Sequence, residues 1–280
     1  MLPVRKKLTL FITVMVVSVV LLLGASFQKA SAADMNLVID NMPRIFGLGV
    51  GFAPDYEGSD DYMFGVAPFA RFQFKGHQQY LLLKGYELQI NLIDHSWFRL
   101  GPSVNYHFGR DHDVDDSVVK KMKKIDDTIE AGGFVGVEFI DKQNPRKRFL
   151  ADIDFLTDVG NEYDGYYVKA SGRVWYPLSQ MFDFGFGLGL CYASDNYMST
   201  YFGVSKKDSL RTGLPVFDAD SGVKDVRVNT VFVMHLNMNW HLATGIQYRR
   251  LVGDADDSPV VDDRGSSNQW LGGIGLAYSW

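Results

Sequence analysis

The sequence holds a single cysteine, Cys191, and has no long apolar run after its first 23 residues. One cysteine cannot form an intrachain disulfide, so other interactions must hold the fold together. Without a later apolar run of about 18 residues, the rest of the chain has no candidate membrane-spanning helix. Basic residues are fewer than acidic ones, 28 against 33, which argues against a nucleic-acid partner because phosphate binding requires a basic face.

Sequence patterns of catalysis and of metal binding are also missing. The chain has no nucleophile elbow, phosphate loop, zinc-ligand spacing or Cys/His pair. A Ser/His/Asp set can be drawn from Ser103, His107 and Asp152, but any barrel with a polar lumen offers such a set. The acidic loops around Asp55 and Asp254 lack the spacing of an EF-hand calcium loop. We therefore predict no enzymatic activity, no cofactor and no metal.

The first 32 residues have the layout of a secretory signal peptide. The basic residues Arg5–Lys7 precede the apolar run Leu8–Leu23, and an Ala-x-Ala cleavage site ends at Ala32. The alternative is a retained membrane helix, for which the run is slightly short. Cleavage would remove four basic residues and no acidic one, leaving 24 against 33 and a net charge of −9. We expect 1–32 to be the signal peptide and 33–43 a short periplasmic segment.

Apolar side chains alternate with polar or small ones along much of the remaining chain. In Phe182–Tyr192 every even position is apolar, and the odd positions hold Asp183, three glycines and Cys191. A period of two residues is typical of β-strands. The stretches are about ten residues or longer, their small faces are rich in glycine, and Tyr and Trp cluster at their ends. These features favour strands that cross a membrane with their apolar faces towards lipid.

Long polar connections, such as Gly109–Ile129 and Ser194–Gly222, alternate with connections of a few residues. In outer-membrane barrels the long loops lie outside the cell and the short turns in the periplasm. Splitting Gln79–Ile93 near Gly85 gives an even strand number with every long loop outside. We predict an all-β fold, a transmembrane antiparallel up-and-down β-barrel over residues 44–280 in a Gram-negative outer membrane, with twelve strands and ten as the alternative.

The predicted inward faces carry charges of both signs. Opposite charges inside a small barrel form either a plugging network of ion pairs or a selective pore, and we favour the plug. The residues concerned are Arg71, Arg99, Lys169, Arg173, Arg227, Arg249, Glu138, Asp152, Asp154 and Asp183.

Several stretches of the chain form distinctive motifs: PDYEGSDDY at Pro54–Tyr62, Pro68, TYFGV at Thr200–Val204, Ser209, TGLP at Thr212–Pro215, and RLVGDADDSPVV at Arg250–Val261. In order and spacing these motifs resemble those of the MltA-interacting protein (MipA) / OmpV family of outer-membrane proteins, over roughly residues 44–280. Two departures are Thr212, where the family tends to have Ser, and the terminal Trp280, where it usually has Phe.

The resemblance implies an outer-membrane barrel that acts as a scaffold or interaction protein. The name-giving member joins a lytic transglycosylase to a bifunctional penicillin-binding protein, so murein-synthesis or murein-hydrolase proteins are the implied partners. Other relatives are described as adhesins, antigens or porins, and a small-solute diffusion channel is the alternative function. An outer-membrane hydrolase is a third hypothesis, although no catalytic residue of the family carries over.

The family motifs fall in three loops predicted to be extracellular. Their Gly and Pro residues predict fixed turns, and their aromatic side chains need apolar neighbours. We hypothesise that the loops fold together into a cap over the barrel mouth, with aspartates satisfied by loop backbone or by Arg211 and Arg250. The candidate interaction residues are Asp55, Tyr56, Gly58, Asp60, Tyr201, Phe202, Gly203, Gly213, Pro215, Gly253, Asp254 and Pro259.

The last residues predict an assembly signal. Leu276, Tyr278 and Trp280 share one face of the final strand, and outer-membrane barrels commonly end on an aromatic in this phase. Outer-membrane lipid and the barrel-assembly machinery are therefore expected partners. Deleting Trp280 should lower the heat-modifiable, folded fraction in outer membranes, whereas Trp280→Phe should preserve it. An unchanged folded fraction after the deletion would contradict the signal.

Overall fold

The computed structural model describes residues 39–280, so the predicted signal peptide, residues 1–32, lies outside the described part of the chain. Twelve antiparallel strands follow one another in chain order around a closed barrel, which confirms the predicted fold with twelve strands instead of ten. They are β1 (Arg44–Pro54), β2 (Tyr62–Gln73), β3 (Tyr80–Lys84), β4 (Glu87–Asn91), β5 (Phe98–His107), β6 (Thr128–Ile140), β7 (Arg148–Asp158), β8 (Tyr166–Pro177), β9 (Phe182–Ala193), β10 (Gly222–His235), β11 (Trp240–Leu251) and β12 (Asn268–Ser279).

The first and last strands close the barrel. Eight residue pairs join β1 to β12, from Ile45 opposite Ser279 to Phe52 opposite Gly272. Closure matters because an unpaired strand edge leaves N–H and C=O groups without partners in lipid. Among residues 39–280 no helix is long and apolar enough to cross a membrane.

Alternate side chains of each strand point outward and inward, with the apolar ones outside. On β1, Phe46, Leu48 and Val50 are 52–58% exposed. On β2 and β5, the inward-facing Arg71 and Arg99 are 2% and 3% exposed. This distribution is the reverse of a soluble barrel and is the one that a membrane barrel requires.

The hairpin of β3 and β4 is much shorter than the rest of the wall. It turns at Gly85 and Tyr86, which confirms the split predicted near Gly85, and each strand has five residues. Its tip meets β2 at Pro68, whose carbonyl accepts a 2.9 Å hydrogen bond from the Gly85 N–H. Above the tip, the Tyr86 hydroxyl donates to the Val66 carbonyl at 2.9 Å. Tyr86 therefore continues the barrel wall beyond the end of the hairpin. The neighbouring Pro68 has no backbone N–H, so it leaves no donor unpaired there.

The long loops contain the short helices. A 3-10 helix spans Val119–Lys121 between β5 and β6. The β9–β10 loop holds α1 (Asp195–Tyr201) and α2 (Lys206–Thr212), and the β11–β12 loop holds α3 (Asp254–Asp257) and α4 (Pro259–Asp262). These loops lie together at the end of the barrel opposite the chain's first strand residues, where the family motifs are found.

The outward face of β9 provides a test of the orientation. Leu188 is 53% exposed on the lipid side, so Leu188→Arg should destabilise the folded barrel in lipid by about 2–4 kcal/mol. Chemical denaturation in lipid vesicles measures the difference. Leu188→Ala is the control, because it shortens the side chain without adding charge. An Arg variant as stable as the Ala variant would mean that this face does not contact lipid.

Gly187 is not a suitable control for that test. A Cβ atom on Gly187 would lie 2.3 Å from Oδ1 of Asn229 and about 3 Å from the rest of its amide. The lumen is thus crowded beside Leu188, and even Gly187→Ala requires the Asn229 side chain to move.

Candidate functional site: loop plug and charged lumen

Four long loops pack into one unit across the barrel mouth, which we call the loop plug: residues 55–61, 108–127, 194–221 and 252–267. Each loop contributes at least one buried apolar side chain to a shared cluster. None of its members is more than 6% exposed, so the loops are joined by a small hydrophobic core of their own. The cluster contains Tyr56, Val114, Val119, Met122, Val204, Leu214 and Val260.

Gly58 shows why the β1–β2 loop needs glycine. Its φ is +96°, a conformation that glycine adopts without steric cost. A Cβ atom there would lie 2.4 Å from a methyl group of Val261. The Gly58 N–H donates to Gln269 at 3.2 Å and its carbonyl accepts from the Ser266 N–H at 2.8 Å. The backbone of this loop is therefore fixed against the β11–β12 loop.

The second motif lies in and just after α1. Tyr201 is 4% exposed, and its ring centroid lies 4.5 Å from that of Tyr197. Phe202 is fully buried, and its carbonyl accepts a 2.5 Å hydrogen bond from the Ser258 hydroxyl, next to the buried Pro259. Gly203 ends the helix through a 3.1 Å hydrogen bond to the Ser199 carbonyl. The second and third motif loops thus contact each other directly.

Polar contacts between loops add to the apolar cluster. The Asp55 carboxylate accepts from the Asp115 N–H at 2.9 Å, and the Asp254 carboxylate accepts from the Asp220 N–H at 2.7 Å. Asp208, buried in the β9–β10 loop, accepts from the Lys123 N–H at 2.7 Å. These aspartates satisfy backbone N–H groups that the loops would otherwise leave unpaired.

An ion pair between two plug loops joins Arg264 to Asp116 at 2.5 Å. Partial burial of Asp116 would raise its pKa. Hydrogen bonds from Arg264 and from the backbone N–H groups of Val119 and Val118 outweigh that burial, so the pKa of Asp116 lies below its usual value.

Some residues predicted for the cap lie outside its packed core. Asp60, Gly213, Pro215 and Gly253 are exposed. Gly213 ends α2 with a φ of +82°, and the buried residue of that motif is its neighbour Leu214. The predicted arginine partners are also wrong, because Arg250 binds Asp256 at 2.8 Å and Arg211 lies 3.8 Å from Asp208.

The β5–β6 loop is a part of the plug that the family motifs did not indicate. Its Arg110 is 5% exposed, donates to the Tyr201 carbonyl at 3.1 Å and lies 5.7 Å from the centre of the Tyr56 ring. The sequence does contain a signal for this loop. Val114, Val119 and Met122 stand out as apolar residues in an otherwise charged stretch.

Below the plug, inward-facing ion pairs cross the lumen. Nearest the short turns, the Glu138 carboxylate accepts from Arg71 at 3.2 Å, Arg99 at 3.1 Å and Arg148 at 2.9 Å. All four side chains are less than one-tenth exposed. Three guanidinium groups around a single carboxylate leave positive charge in excess at this level.

Glu87 forms the next centre, with Lys169 at 2.7 Å and Lys84 at 3.1 Å. Beside them, the Gln89 amide bridges the carboxylates of Glu87 and Asp154. These contacts extend the network from β3 and β4 across to β7 and β8.

Glu130 forms the uppermost strand-borne centre and is fully buried. It accepts from the hydroxyls of Tyr167 at 2.6 Å and Tyr163 at 2.8 Å, and His107 Nδ1 lies 2.8 Å away. The rings of Tyr163 and Tyr197 meet at 5.1 Å. The lumen network is therefore continuous with the aromatic side chains of the plug.

Two further carboxylates enter the lumen from outside the strands. Glu57, in the β1–β2 loop, binds Lys224, Arg249 at 3.2 Å and the Tyr197 hydroxyl at 2.9 Å. Glu57 lies in the motif PDYEGSDDY, but the sequence pattern does not distinguish it from the other acids there.

Asp40 enters from the opposite end of the barrel. It binds Arg173 and the Trp175 indole N–H, the latter at 2.6 Å, and its carbonyl accepts from Arg71 at 2.5 Å. Residues 39–43 are the described part of the segment expected in the periplasm. Within it, Ile39–Asn41 are buried inside the barrel.

The cavities described between these groups are small. A cavity beside Asp40, Arg71 and Arg99 has a volume of about 30 Å³, and another beside Ile39 and the glycine-rich wall has about 50 Å³. Such volumes admit a few water molecules at most. Filled by side chains at its centre and by non-strand segments at both ends, the lumen is occluded in this state.

Ser103, His107 and Asp152 do not form a catalytic triad. His107 pairs with Glu130, Asp152 accepts from Ser171 at 3.0 Å, and the Ser103 hydroxyl has no hydrogen-bond partner among residues 39–280. Within the same residues, no group of three or more His, Cys, Asp or Glu side chains is placed to hold a metal ion.

The family model described as MltA-interacting protein MipA matches residues 46–280, which include the whole barrel beyond its first two residues and all four plug loops. The chain belongs to this family. The resemblance inferred from the loop motifs is thereby confirmed. The closed barrel, together with relatives named as outer membrane proteins, confirms the predicted location in the outer membrane.

Curated relatives share a shorter stretch. Outer membrane protein OmpV of Vibrio cholerae is 33% identical over 90 residues, covering 32% of this chain and 33% of the relative. Outer membrane protein Omp26La of Vibrio anguillarum is 31% identical over 90 residues, with the same coverage. The chain thus matches about a third of the length of these relatives.

Solved outer-membrane structures are similar to the barrel at low identity. The NanC porin is 11% identical with a TM-score of 0.49, covering 84% of this chain and 100% of that one. An outer membrane channel from Pseudomonas putida F1 is 10% identical with a TM-score of 0.45, covering 88% and 98%. The translocator domain of the autotransporter NalP from Neisseria meningitidis is 10% identical with a TM-score of 0.40, covering 89% and 91%.

The pair of Arg264 and Asp116 makes the plug sensitive to acid. Because the folded-state pKa of Asp116 is below its usual value of 3.8, the stabilisation is complete above that value and is lost as pH falls through it towards the lowered pKa. Limited proteolysis of the β5–β6 loop by an acid-active protease should accelerate over this range. A protease that is active at neutral pH should cleave Asp116→Asn faster than wild type already at about pH 7.

Asp113→Asn is the matched control for that experiment, since Asp113 is an exposed acid of the same loop. Equal cleavage rates for the two variants at neutral pH would show that the Asp116 contact does not hold the plug.

Proposed function

We propose that this MipA family member is a non-enzymatic interaction protein of the cell envelope, a closed barrel that acts through its surfaces. The observation that carries the proposal is the occluded lumen. The loop plug fills one end, Ile39–Asn41 fill the other, and ion pairs centred on Glu138 and Glu87 cross the middle. A diffusion channel requires a continuous aqueous path, whereas a scaffold requires only stable, exposed surfaces.

The family description supports a partner of the murein machinery, because it names an interaction with MltA. A periplasmic partner would meet the end with the short turns. Two neighbouring turns there carry large exposed apolar side chains and are joined by a 2.8 Å hydrogen bond from the His235 N–H to the Met181 carbonyl. We call them the turn patch: Leu178 (56% exposed), Met181 (54%), Leu236 (50%) and Met238 (92%).

The turn patch fits a protein partner for a physical reason. Exposed apolar groups on adjacent turns gain free energy when a second surface removes them from water. Arg146 lies beside the patch, donating to the Ser179 carbonyl at 2.8 Å while its guanidinium also contacts Asp183. An arginine at the rim of an apolar patch is a common feature of protein interfaces.

The loop plug supports a second candidate function, recognition outside the cell. Its surface exposes Leu210 (89%) and Val216 (47%) on either side of the buried Leu214. Because the plug has its own hydrophobic core, it presents these side chains on a pre-ordered surface, which lowers the entropic cost of binding. An adhesin would use this end of the barrel.

A binding assay with paired variants separates the two candidates. Refolded protein in detergent is titrated against purified MltA, and binding is followed by surface plasmon resonance. Met238→Asp should weaken binding at least tenfold, because it places a charge on the most exposed apolar residue of the turn patch. Leu210→Asp, an equivalent change at the opposite end, should leave the affinity unchanged.

Two outcomes would contradict the main proposal. Wild-type protein that does not bind MltA would remove the murein partner. Binding that is lost in Leu210→Asp but retained in Met238→Asp would instead place the partner surface on the loop plug.

A further inference from the structure

The strands of the barrel carry more positive than negative charge towards the lumen. Within residues 39–280, nine inward-facing cations on strands are less than one-tenth exposed: Arg71, Lys84, Arg99, Arg148, Lys169, Arg173, Lys224, Arg227 and Arg249. Eight inward-facing acids stand on strands: Glu87, Glu130, Glu138, Asp152, Asp154, Asp158, Asp183 and Asp225. The strand wall thus has a surplus of one positive charge.

Two non-strand carboxylates more than offset this surplus. Asp40 precedes β1, and Glu57 lies in the loop after it. Their side chains are 5% and 6% exposed, so both are buried against the wall. Each binds cations of the wall: Asp40 binds Arg173, and Glu57 binds Lys224 and Arg249. The segments that close the two ends of the barrel therefore also supply counter-charges to the wall.

The Asp40 contacts have the form of a carboxylate-binding site. One carboxylate oxygen meets the Arg173 guanidinium and the other meets the Trp175 indole N–H at 2.6 Å. Around the adjoining 30 Å³ cavity, Arg71 Nε and Arg173 Nε are buried without hydrogen-bond partners. These N–H groups are free to bind further oxygens of a larger anion.

We propose that the lumen is a pathway for small anionic solutes, carboxylates in particular, which the chain's own carboxylates close. When Ile39–Asn41 and the β1–β2 loop move out of the lumen, Asp40 and Glu57 leave with them. The exposed wall is then net positive, attracts anions and repels cations. The arginines around Glu138 form its narrow, basic part, and a solute carboxylate takes the place of Asp40 on Arg173 and Trp175.

Planar-bilayer recordings on refolded full-length barrel test the proposal. Wild-type protein should remain closed for most of the recording. Asp40→Ala combined with Glu57→Ala should raise the open fraction at least tenfold. In a tenfold KCl gradient, the reversal potential should show preference for chloride, and replacing chloride by acetate should leave a measurable anion current.

Matched variants separate the counter-ion effect from a general loss of charge. Asp218→Ala combined with Asp263→Ala removes two exposed acids of the loops and should leave the barrel closed. If the alanine pair does not fold, as judged by heat-modifiable mobility, the isosteric pair Asp40→Asn and Glu57→Gln is recorded instead.

Folded variants that stay closed, or that open with a preference for potassium, would overturn the proposal. The result is independent of the interaction function, since MltA binding is measured separately and the turn patch contains neither Asp40 nor Glu57. A wild-type barrel that is already open would contradict both the occlusion and the closing role of the two carboxylates.

Discussion

The balance of charge inside a narrow, lipid-enclosed lumen is the constraint on which the rest of this structure depends. The lipid-facing side of each strand must be apolar, so charged residues in the membrane-spanning part of the strands point inward. A buried ion without a partner costs several kcal/mol, and space for water is small here. Each charge therefore needs a protein partner, and the network around Glu138, Glu87 and Glu130 follows from that need.

The same constraint links the loops to the barrel. Tyr56 and Glu57 are neighbours in one loop, yet Tyr56 packs in the apolar cluster of the plug while Glu57 reaches the wall cations Lys224 and Arg249. If the loop left the mouth of the barrel, the apolar surface around Tyr56 would be exposed. Lys224 and Arg249 would also lose their contact with the Glu57 carboxylate. This coupling makes the plug an ordered part of the fold instead of a set of independent, solvated turns.

Much of the fold could be predicted from sequence because alternation is a local signal. A period of two identifies a strand without knowledge of its neighbours, and the glycine turn at Gly85 fixed the strand number. Which residues pack together in the loop plug cannot be inferred from such a local pattern. Val114 and Met122 lie in a charged loop, and their partners Tyr56 and Val260 are far away in the chain. Such contacts depend on how loops meet after the barrel closes.

Glu57 shows the limit most clearly. It lies in a motif with three other acids, Asp55, Asp60 and Asp61, and the sequence gives no sign that Glu57 alone points into the lumen. The sequence predicts instead that the aspartates of that loop are satisfied by loop backbone or by arginines within the loops. Asp55 does accept a loop N–H, but which carboxylate meets a wall cation depends on backbone geometry such as the positive φ of Gly58.

A closed interaction protein and a latent anion pathway are compatible within one structure. A partner that binds only the packed plug stabilises the closed state. A partner that binds displaced loops stabilises the open state. Neither can shift the equilibrium by more than the difference between its binding free energies for the closed and open states. Opening requires the loss of the apolar contacts of Tyr56 as well as of the ion pairs of Glu57, so the closed state dominates without a partner. Occupancy of the outer surface would then determine whether the lumen conducts, which gives the loop plug a role in both functions.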